Sequence, residues 1–421
     1  MKRAVLMIID GLRADMVTPG LTPNLCNIAR RGRVFRRHRS VFPSATRVNS
    51  ASIATGCLPS RHGLFGNAIA LDEGEGLRPV SVGPADFRER LRRATGRTLH
   101  VPTLAEHLAN SGGVAIYSNS SAGAAHMQDP DGHGWLYHRS GSHGPGLKSI
   151  SADPMATVGY DATGDTQTVK HFCNALLADT DIPLFITWIC EPDHSQHTLE
   201  LGSDIHKAII QQSDMRAAEV ETAVNARRQG GDDVLLILGS DHGHETIDRI
   251  VPVENLLIEA GFKSSTDSTD VVFASSGMGA LIYLAHEARD RCGSIAEWLS
   301  VQSWCDAVYA GDTLEAIGLQ PAAGLAIAFS MAKQDAPNRH GIQGLGHVAG
   351  DRFTTSDAPG HGQHGGLGTY ETRPFLIVEG GGFKIGTSDR LTRTTDIAPT
   401  LLRHLGVDSG HMDGVALPTS D

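Results

Sequence analysis

Four places in the chain set an acid or a histidine close to a short apolar run. Ala4–Ile9 leads into Asp10-Gly11, Leu184–Ile189 into Glu191-Pro192-Asp193 with His197 four residues on, and Val234–Leu238 into Ser240-Asp241-His242-Gly243, while His364-Gly365-Gly366 precedes Pro374–Val378. Ligands of an open parallel sheet sit outside the carboxyl ends of its strands, so three carboxylates and three imidazoles would converge on one edge. An aspartate after a strand is, by itself, most often a turn or a helix cap. Six such groups together have the composition of a metal centre. Carboxylate oxygen and imidazole nitrogen suit Zn²⁺, and six ligands suffice for two ions with positions left for a substrate. Mn²⁺, Fe and Co²⁺ accept the same ligand types. Asp193 and His197, at i and i+4, would reach one ion from one face of a helical turn.

A fifth element brings a hydroxyl. Phe42-Pro43-Ser44-Ala45-Thr46-Arg47-Val48-Asn49 leads into a helical run, Ser50–Thr55, that stops at Gly56. Thr46 would stand at the start of that helix, where free N–H groups and the dipole favour an alkoxide. The plainer role for Thr46 is an N-cap.

These residues need a scaffold, and the hydrophobic pattern supplies one. Short apolar runs ending in Gly, Asp or Ser alternate with helical patterns, as expected of parallel strands covered on both faces. Strands are predicted at Ala4–Ile9, Gly113–Tyr117, Leu184–Ile189, Val234–Leu238 and Pro374–Val378. Helices are predicted at Pro23–Arg31, with Thr22 as cap and Gly32 as stop, and at Thr103–Asn110, Thr166–Ala178, Asp204–Arg228 and Thr395–Leu405. The fold class is therefore α/β: a doubly wound, mostly parallel central sheet with helices on both faces. Loops rich in Gly, Ser and His at about 65–150, and extra short strands at about 250–345 (Val271–Ala274, Ala280–Leu284, Leu325–Phe329), break the rhythm. The expected organisation is a catalytic core of 1–249 and 346–421 with an inserted cap subdomain at 250–345.

Composition narrows the function classes. The 421 residues carry 36 Lys+Arg against 47 Asp+Glu, a net charge of −11, which argues against a nucleic-acid polymer held by phosphate contacts. With 40% hydrophobic and 20% charged residues the chain can bury a sizeable core. No apolar run approaches the length of a membrane helix. Met1-Lys2-Arg3 before apolar residues mimics an export leader, but the run is short and has no small-residue cleavage site, so none is expected. Cys26, Cys57, Cys173, Cys190, Cys292 and Cys305 form no CxxC pair, and reduced thiols in a cytoplasmic protein are expected. The 21 histidines, many beside Asp and Gly, are what make a metal site worth testing.

The ordered motifs resemble those of the alkaline phosphatase superfamily, in its nucleotide pyrophosphatase/phosphodiesterase and phosphonoacetate hydrolase branch. The resemblance is carried by Asp10-Gly11, the Phe-Pro-Ser-x-Thr-x-x-Asn segment around Thr46, and Thr55-Gly56-x-x-Pro59-x-x-His62-Gly63-x-x-Gly66-Asn67. It continues through Glu191-Pro192-Asp193-x-x-x-His197, Ser240-Asp241-His242-Gly243 and His364-Gly365, and reaches Thr395–Leu402. It implies two Zn²⁺ ions, one held by Asp193, His197 and His364 and one by Asp10, Asp241 and His242 with Thr46 beside it. Thr46 would be the nucleophile, and Asn67 would donate its amide to a phosphoryl oxygen. The implied activity is hydrolysis of a phosphate ester by in-line attack of the threonine, as a phosphodiesterase or nucleotide pyrophosphatase acting on a small anionic substrate. A phosphonate C–P hydrolase or a phosphomonoesterase on the same site is the alternative, and a non-catalytic metal-binding protein a third.

Departures from the resembled pattern matter. Gln196 stands where relatives often carry Gly just before the motif's histidine, and would reshape the leaving-group side. Arg47 follows the nucleophile where relatives usually carry an apolar residue; its guanidinium would reach the phosphoryl group or else pair along the helix. The phosphonoacetate branch holds the substrate carboxylate with lysines after the strand that corresponds to Gly113–Tyr117, whereas this chain reads Ser118-Asn119-Ser120-Ser121. His361, three residues before His364, is the alternative ligand there. His62, His194 and His244 read as structural or supporting histidines, and the arginines at 30–39 as a solvated face.

Overall fold

A strand with no polar residue must be covered on both sides, and Ala4–Ile9 meets that demand at the middle of a ten-stranded sheet. The computed structural model describes residues 1–178, 180–350 and 357–420; residue 421, the end of the expected second core segment, lies outside them. The strands of the main sheet are β1 (Lys2–Ile9), β2 (Arg33–Arg39), β3 (Val114–Ser118), β4 (Trp135–His138), β5 (His143–Gly144), β6 (Lys148–Ser149), β7 (Leu184–Ile189), β8 (Asp233–Gly239), β9 (Leu376–Glu379) and β10 (Gly386–Arg393). Their order is β10-β2-β9-β8-β1-β7-β3-β4-β5-β6. The pairs from β8 through β1, β7 and β3 to β4 are parallel, and β9 runs antiparallel to β8 and β2.

The helices that concern the core and the site are α1 (Pro23–Arg31), α2 (Thr46–Thr55), α3 (Leu104–Leu108), α4 (Ala162–Leu177), α5 (Asp204–Gln229) and α6 (Ile397–Leu405). Side chains alternate across a strand, so β1 feeds two cores. Val5, Met7 and Ile9 pack with Leu25 and Ile28 of α1, Phe172 of α4 and Val220 of α5. Ala4, Leu6 and Ile8 pack on the other face with Leu104, Leu108, Leu401 and Leu402. Each aliphatic side chain buried there contributes roughly 1.5–3 kcal/mol. This is the doubly wound arrangement, and among the described residues no helix is long and apolar enough to cross a membrane.

The arginine-rich stretch 33–39 departs from its predicted role. It forms β2, between β9 and β10, with Phe35 and His38 buried while Arg36 and Arg37 remain exposed. A strand near the sheet edge needs only alternate positions inside, and a run of arginines conceals that period.

Three smaller sheets are present among the described residues, one of them the two-stranded pair Ala68–Asp72 and Leu77–Ser81. Val271–Ser275, Gly279–Leu284, Leu325–Met331 and Cys305–Ala310 form an antiparallel sheet in that spatial order. One face is backed by the helix Cys292–Ser300, and the other packs with Phe42, Phe65 and Ile69 beside the segment that precedes Thr46. In the second sheet Glu245–Val251 pairs with Gln343–Ala349 and with Gly362–Gln363. Residues 250 and 345, the expected ends of the cap, thus fall within two paired strands.

Candidate active site

Register levels the carboxyl ends of the central strands: Ile8 is opposite Gly239 and Ile9 opposite Ile189. Asp10, Asp193, Asp241 and His242 therefore leave the sheet together, and all four are buried. His364 arrives by another route. Glu245 pairs with Gln363 and Thr246 with Gly362, which seats the His364 segment beside the loop that carries His242. The rings of His242 and His364 stack with centroids 3.8 Å apart. Close backbone contact fixes this loop: Gly365 has φ +109°, and a Cβ there would stand 1.5 Å from the carbonyl oxygen of Ser276.

The acids form the floor. Asp10 Oδ2 accepts from Trp188 Nε1 at 2.8 Å, and Asp241 Oδ1 accepts from the Gly11 amide at 3.1 Å. Asp10 Oδ1 has no hydrogen bond among the described residues. Burial, and then the charges of Asp241 and Asp193, push the Asp10 carboxyl well above its ordinary range. Burial would raise Asp193 too, but the imidazoles of His197 and His244 outweigh it and hold the group well below that range.

Carbonyl oxygens only accept, so a histidine nitrogen facing one must carry the proton. His242 Nδ1 lies 3.0 Å from Gly243 O and His364 Nδ1 lies 2.8 Å from Ser44 O, so both Nε2 atoms face the acids, where each could serve as a ligand atom once it carries no proton. His242 Nε2 is 3.0 Å from Thr46 Oγ1, 3.1 Å from Asp241 Oδ2 and 3.6 Å from Asp10 Oδ1. Burial disfavours charge on His242, yet Asp241 and Asp193 raise it to about 9. Burial and the neighbouring His242 and His244 put His364 well below its ordinary value.

Thr46 opens α2. The N-cap is Ala45, which has no side-chain cap, so the Thr46 hydroxyl is not spent on capping. Ser44 is tied to the opposite loop through Glu371, which accepts from Ser44 Oγ at 3.0 Å and from the amides of Gly366 and Gly368 at 2.7 Å each. Thr46 lines a chamber of about 340 Å³ together with Asp10, Asp193, His197, Asn67 and Arg47. Asn67 Oδ1 accepts from the Arg47 amide at 3.3 Å, which leaves the amide Nδ2 for the chamber. The Arg47 guanidinium lies over Gly83, and it has no hydrogen bond or ion pair to a described residue. Burial lowers its pKa, against the pull of Tyr160, Asp193 and Asp10.

Among the described residues, two groups of side chains have the geometry of metal sites. Asp10, Asp241 and His242 each offer a ligand atom within 4.8 Å of the others, and so do Asp193, His242, His244 and His364. Converging buried acids, an Asp10 oxygen without a donor and aimed imidazole lone pairs fit a divalent cation.

The structure thus brings Asp10, Thr46, Asp193, Asp241, His242 and His364 into one cluster. His197 stands at its rim, with Nε2 3.5 Å from Asp193 Oδ1 and a side chain 26% exposed. His361 is turned elsewhere, its Nδ1 3.2 Å from the carbonyl oxygen of His197. Gln196 is fully buried and donates to Gly11 O at 3.2 Å, so it braces the ligand loops instead of shaping the leaving-group side. His62 meets Ser52, and His194 packs on Tyr160.

His244, read as structural or supporting, lies in the second metal-type group with its Nε2 2.7 Å from Asp193 Oδ1. Sequence reasoning missed one residue of the site. Tyr160 lies in an irregular segment and lines the chamber, with its ring 3.8 Å from the Arg139 guanidinium carbon. Nothing in its sequence surroundings marked it.

Comparison with known proteins agrees with this geometry. The sequence profile of the type I phosphodiesterase / nucleotide pyrophosphatase family matches residues 4–299. Murine ectonucleotide pyrophosphatase / phosphodiesterase 5, solved as an inactive form in complex with AMP, superposes with a TM-score of 0.68 at 16% identity, over 98% of this chain and 97% of that chain. A substituted form of the alkaline phosphatase PafA gives 0.68 at 14% identity, over 99% of each chain. Phosphonoacetate hydrolase from Sinorhizobium meliloti 1021, in complex with phosphonoformate, gives 0.65 at 19% identity, over 96% of this chain and 95% of that chain. At these identities the likeness is one of fold. No curated protein sequence matches the chain.

Proposed function

The chain belongs to the type I phosphodiesterase / nucleotide pyrophosphatase family, within the alkaline phosphatase superfamily of metal-dependent phosphoryl-transferring hydrolases, and from that premise we propose that it cleaves a small phosphate ester by in-line attack of Thr46, as a phosphodiesterase or nucleotide pyrophosphatase. The observation that carries this reading is the Thr46 hydroxyl, free of any capping role, at a helix start and 3.0 Å from His242 Nε2 on the chamber floor. Asp10, Asp241 and His242 with Thr46 would hold one divalent ion, and Asp193, His197 and His364 the other, with Zn²⁺ the first candidate. When bound, the ions supply positive charge that polarises the phosphoryl group and lowers the pKa of the hydroxyl and of water.

The chain's own groups set the course of the reaction. Thr46 loses its proton to solvent through the open chamber and attacks phosphorus as the bond to the leaving oxygen breaks, and that oxygen takes up a proton from solvent. Water then attacks the threonyl phosphate, the bond from phosphorus to Thr46 Oγ1 breaks, Oγ1 regains a proton and the phosphate product leaves. Asn67 Nδ2 donates to a non-bridging oxygen in both displacements. A chamber of about 340 Å³ supports a small-molecule substrate, and the net charge of −11 is unsuited to a nucleic-acid polymer. The six unpaired cysteines support a cytoplasmic location as part of the same proposal.

Arg47 favours a second reading on the same site. A guanidinium next to the nucleophile with no hydrogen-bond partner among the described residues suits a substrate with an additional negative oxygen, as in a monoester or a phosphonate cleaved at its C–P bond. A diester, a monoester and a phosphonate tested on one zinc-loaded preparation separate the readings. Fastest turnover of the diester supports the first and of either other substrate the second, while no turnover with metal bound leaves a metal-binding protein.

A further inference from the structure

One side chain of the chamber wall has no task in the reading just given. Tyr160 directly precedes Asp161, whose side chain caps α4 by accepting from the Gly164 amide at 2.7 Å. Its ring is taken up by the protein. The Arg139 guanidinium carbon lies 3.8 Å from the ring centroid, and the imidazole of His194, which also lines the chamber, lies 4.2 Å from it, centroid to centroid. Arg139 is locked in that place. One of its terminal nitrogens donates to Asn119 O at 2.8 Å, to Asn119 Oδ1 at 3.0 Å and to Ser120 O at 2.8 Å.

A flat group such as a nucleobase needs an open aromatic face to stack on. Among the described residues that line the chamber, Tyr160 alone carries a six-membered aromatic ring, and Arg139 and His194 already engage that ring. The wall around it is polar, with Ser81, Ser121, Ser275 and Ser276 contributing small hydroxyls. What Tyr160 keeps for the chamber is its own hydroxyl, which has no hydrogen bond to a described residue. A phenol carries its proton at neutral pH, so this group can donate. Tyr160 also acts on the Arg47 guanidinium, ahead of Asp193 and Asp10, which puts the phenol oxygen on the Arg47 side of the chamber.

Resting on the phosphoryl-transfer reading, we propose that Tyr160 contacts the substrate through its hydroxyl, donating to a phosphoryl oxygen from the wall it shares with Arg47, and that the chamber takes phosphoryl compounds with a small polar leaving group instead of a nucleoside. The base of a nucleotide finds no stacking partner here and adds nothing to binding. A stacking role for the ring makes the opposite prediction for phenylalanine, which keeps the ring and loses the hydroxyl.

The test is equilibrium titration of the zinc-loaded full chain with inorganic phosphate, AMP and ribose 5-phosphate. Tyr160→Phe is expected to bind phosphate about ten- to a hundredfold more weakly than wild type, the range of a hydrogen bond to a charged group, and Tyr160→Ala to lose no more than that. Wild type should bind AMP and ribose 5-phosphate alike. Phosphate affinity of Tyr160→Phe equal to wild type overturns the proposal whatever the alanine variant does, and phenylalanine is close enough in shape to keep the fold. Tighter binding of AMP than of ribose 5-phosphate, kept in Tyr160→Phe and lost in Tyr160→Ala, would make the ring a stacking platform and overturn it too. The phosphoryl reading fails separately: zinc-loaded wild type that binds no phosphate removes that reading and this contact together, whereas equal binding by wild type and Tyr160→Phe removes the contact alone.

Discussion

Thr46 Oγ1 lies 3.0 Å from His242 Nε2, although the two residues are 196 positions apart in the chain. The contact joins the first turn of α2 to the loop after β8 and puts a hydroxyl against an imidazole that Asp241 and Asp193 raise above its ordinary value. An ion placed among Asp10, Asp241 and His242 would have Thr46 as its neighbour. The sequence distance explains why no local pattern encodes the contact.

Metal stoichiometry should follow from the two groups of acids. Elemental analysis of zinc-reconstituted protein is expected to approach two equivalents, and Asp10→Ala or Asp241→Ala should each remove one together with most activity. A plateau at one that Asp10→Ala leaves unchanged would sink the two-ion assignment.

Arg47 should discriminate between substrates. Arg47→Ala is expected to lower kcat/KM for a monoester by about ten- to a hundredfold, roughly 1.4–2.7 kcal/mol, while affecting a diester much less. Equal losses on both substrates would deny it a part in the choice between them, and no loss on either would put it outside the reaction.

Away from the metal cluster, His62 couples stability to pH. Burial lowers it to about 3; its Nε2 lies 2.9 Å from Ser52 Oγ, and its Nδ1 accepts from the Leu64 amide at 3.2 Å. Because the folded value lies below the unfolded one of 6.5, the unfolded chain binds the extra proton. The contribution is complete above pH 6.5 and fades as pH falls toward 3, by about 1.4 kcal/mol per pH unit. Denaturant unfolding between pH 6.5 and 4.5 should therefore show a slope shallower by about one proton in His62→Gln than in wild type. Parallel curves would mean that His62 titrates alike in both states.

Sequence made the central strands and the acids at their ends plain, because Ala4–Ile9, Leu184–Ile189 and Val234–Leu238 are apolar without interruption and parallel strands bring their ends level. It ranked His197 as a ligand above His244 as a structural or supporting residue, and only tertiary packing shows that His244 fills the slot between Gly11 and Gly362 against Asp193 while His197 stays at the rim. The strand at 33–39 was concealed by its arginines, and Tyr160 by lying in an irregular segment, where neither period nor neighbours mark a residue. The position of His364 depends on the pairing of 245–246 with 362–363, a long-range contact that no local pattern encodes.

The central claim, that Thr46 is the nucleophile, is tested most directly by turnover of Thr46→Ala and Thr46→Ser, each loaded with metal to the wild-type level. The account predicts a loss of several orders of magnitude for alanine with fold and metal content intact, and a measurable remaining rate for serine, which keeps a hydroxyl. Turnover by Thr46→Ala near the wild-type rate, with no change beyond the roughly 1 kcal/mol of stability expected from a disturbed helix start, would contradict it.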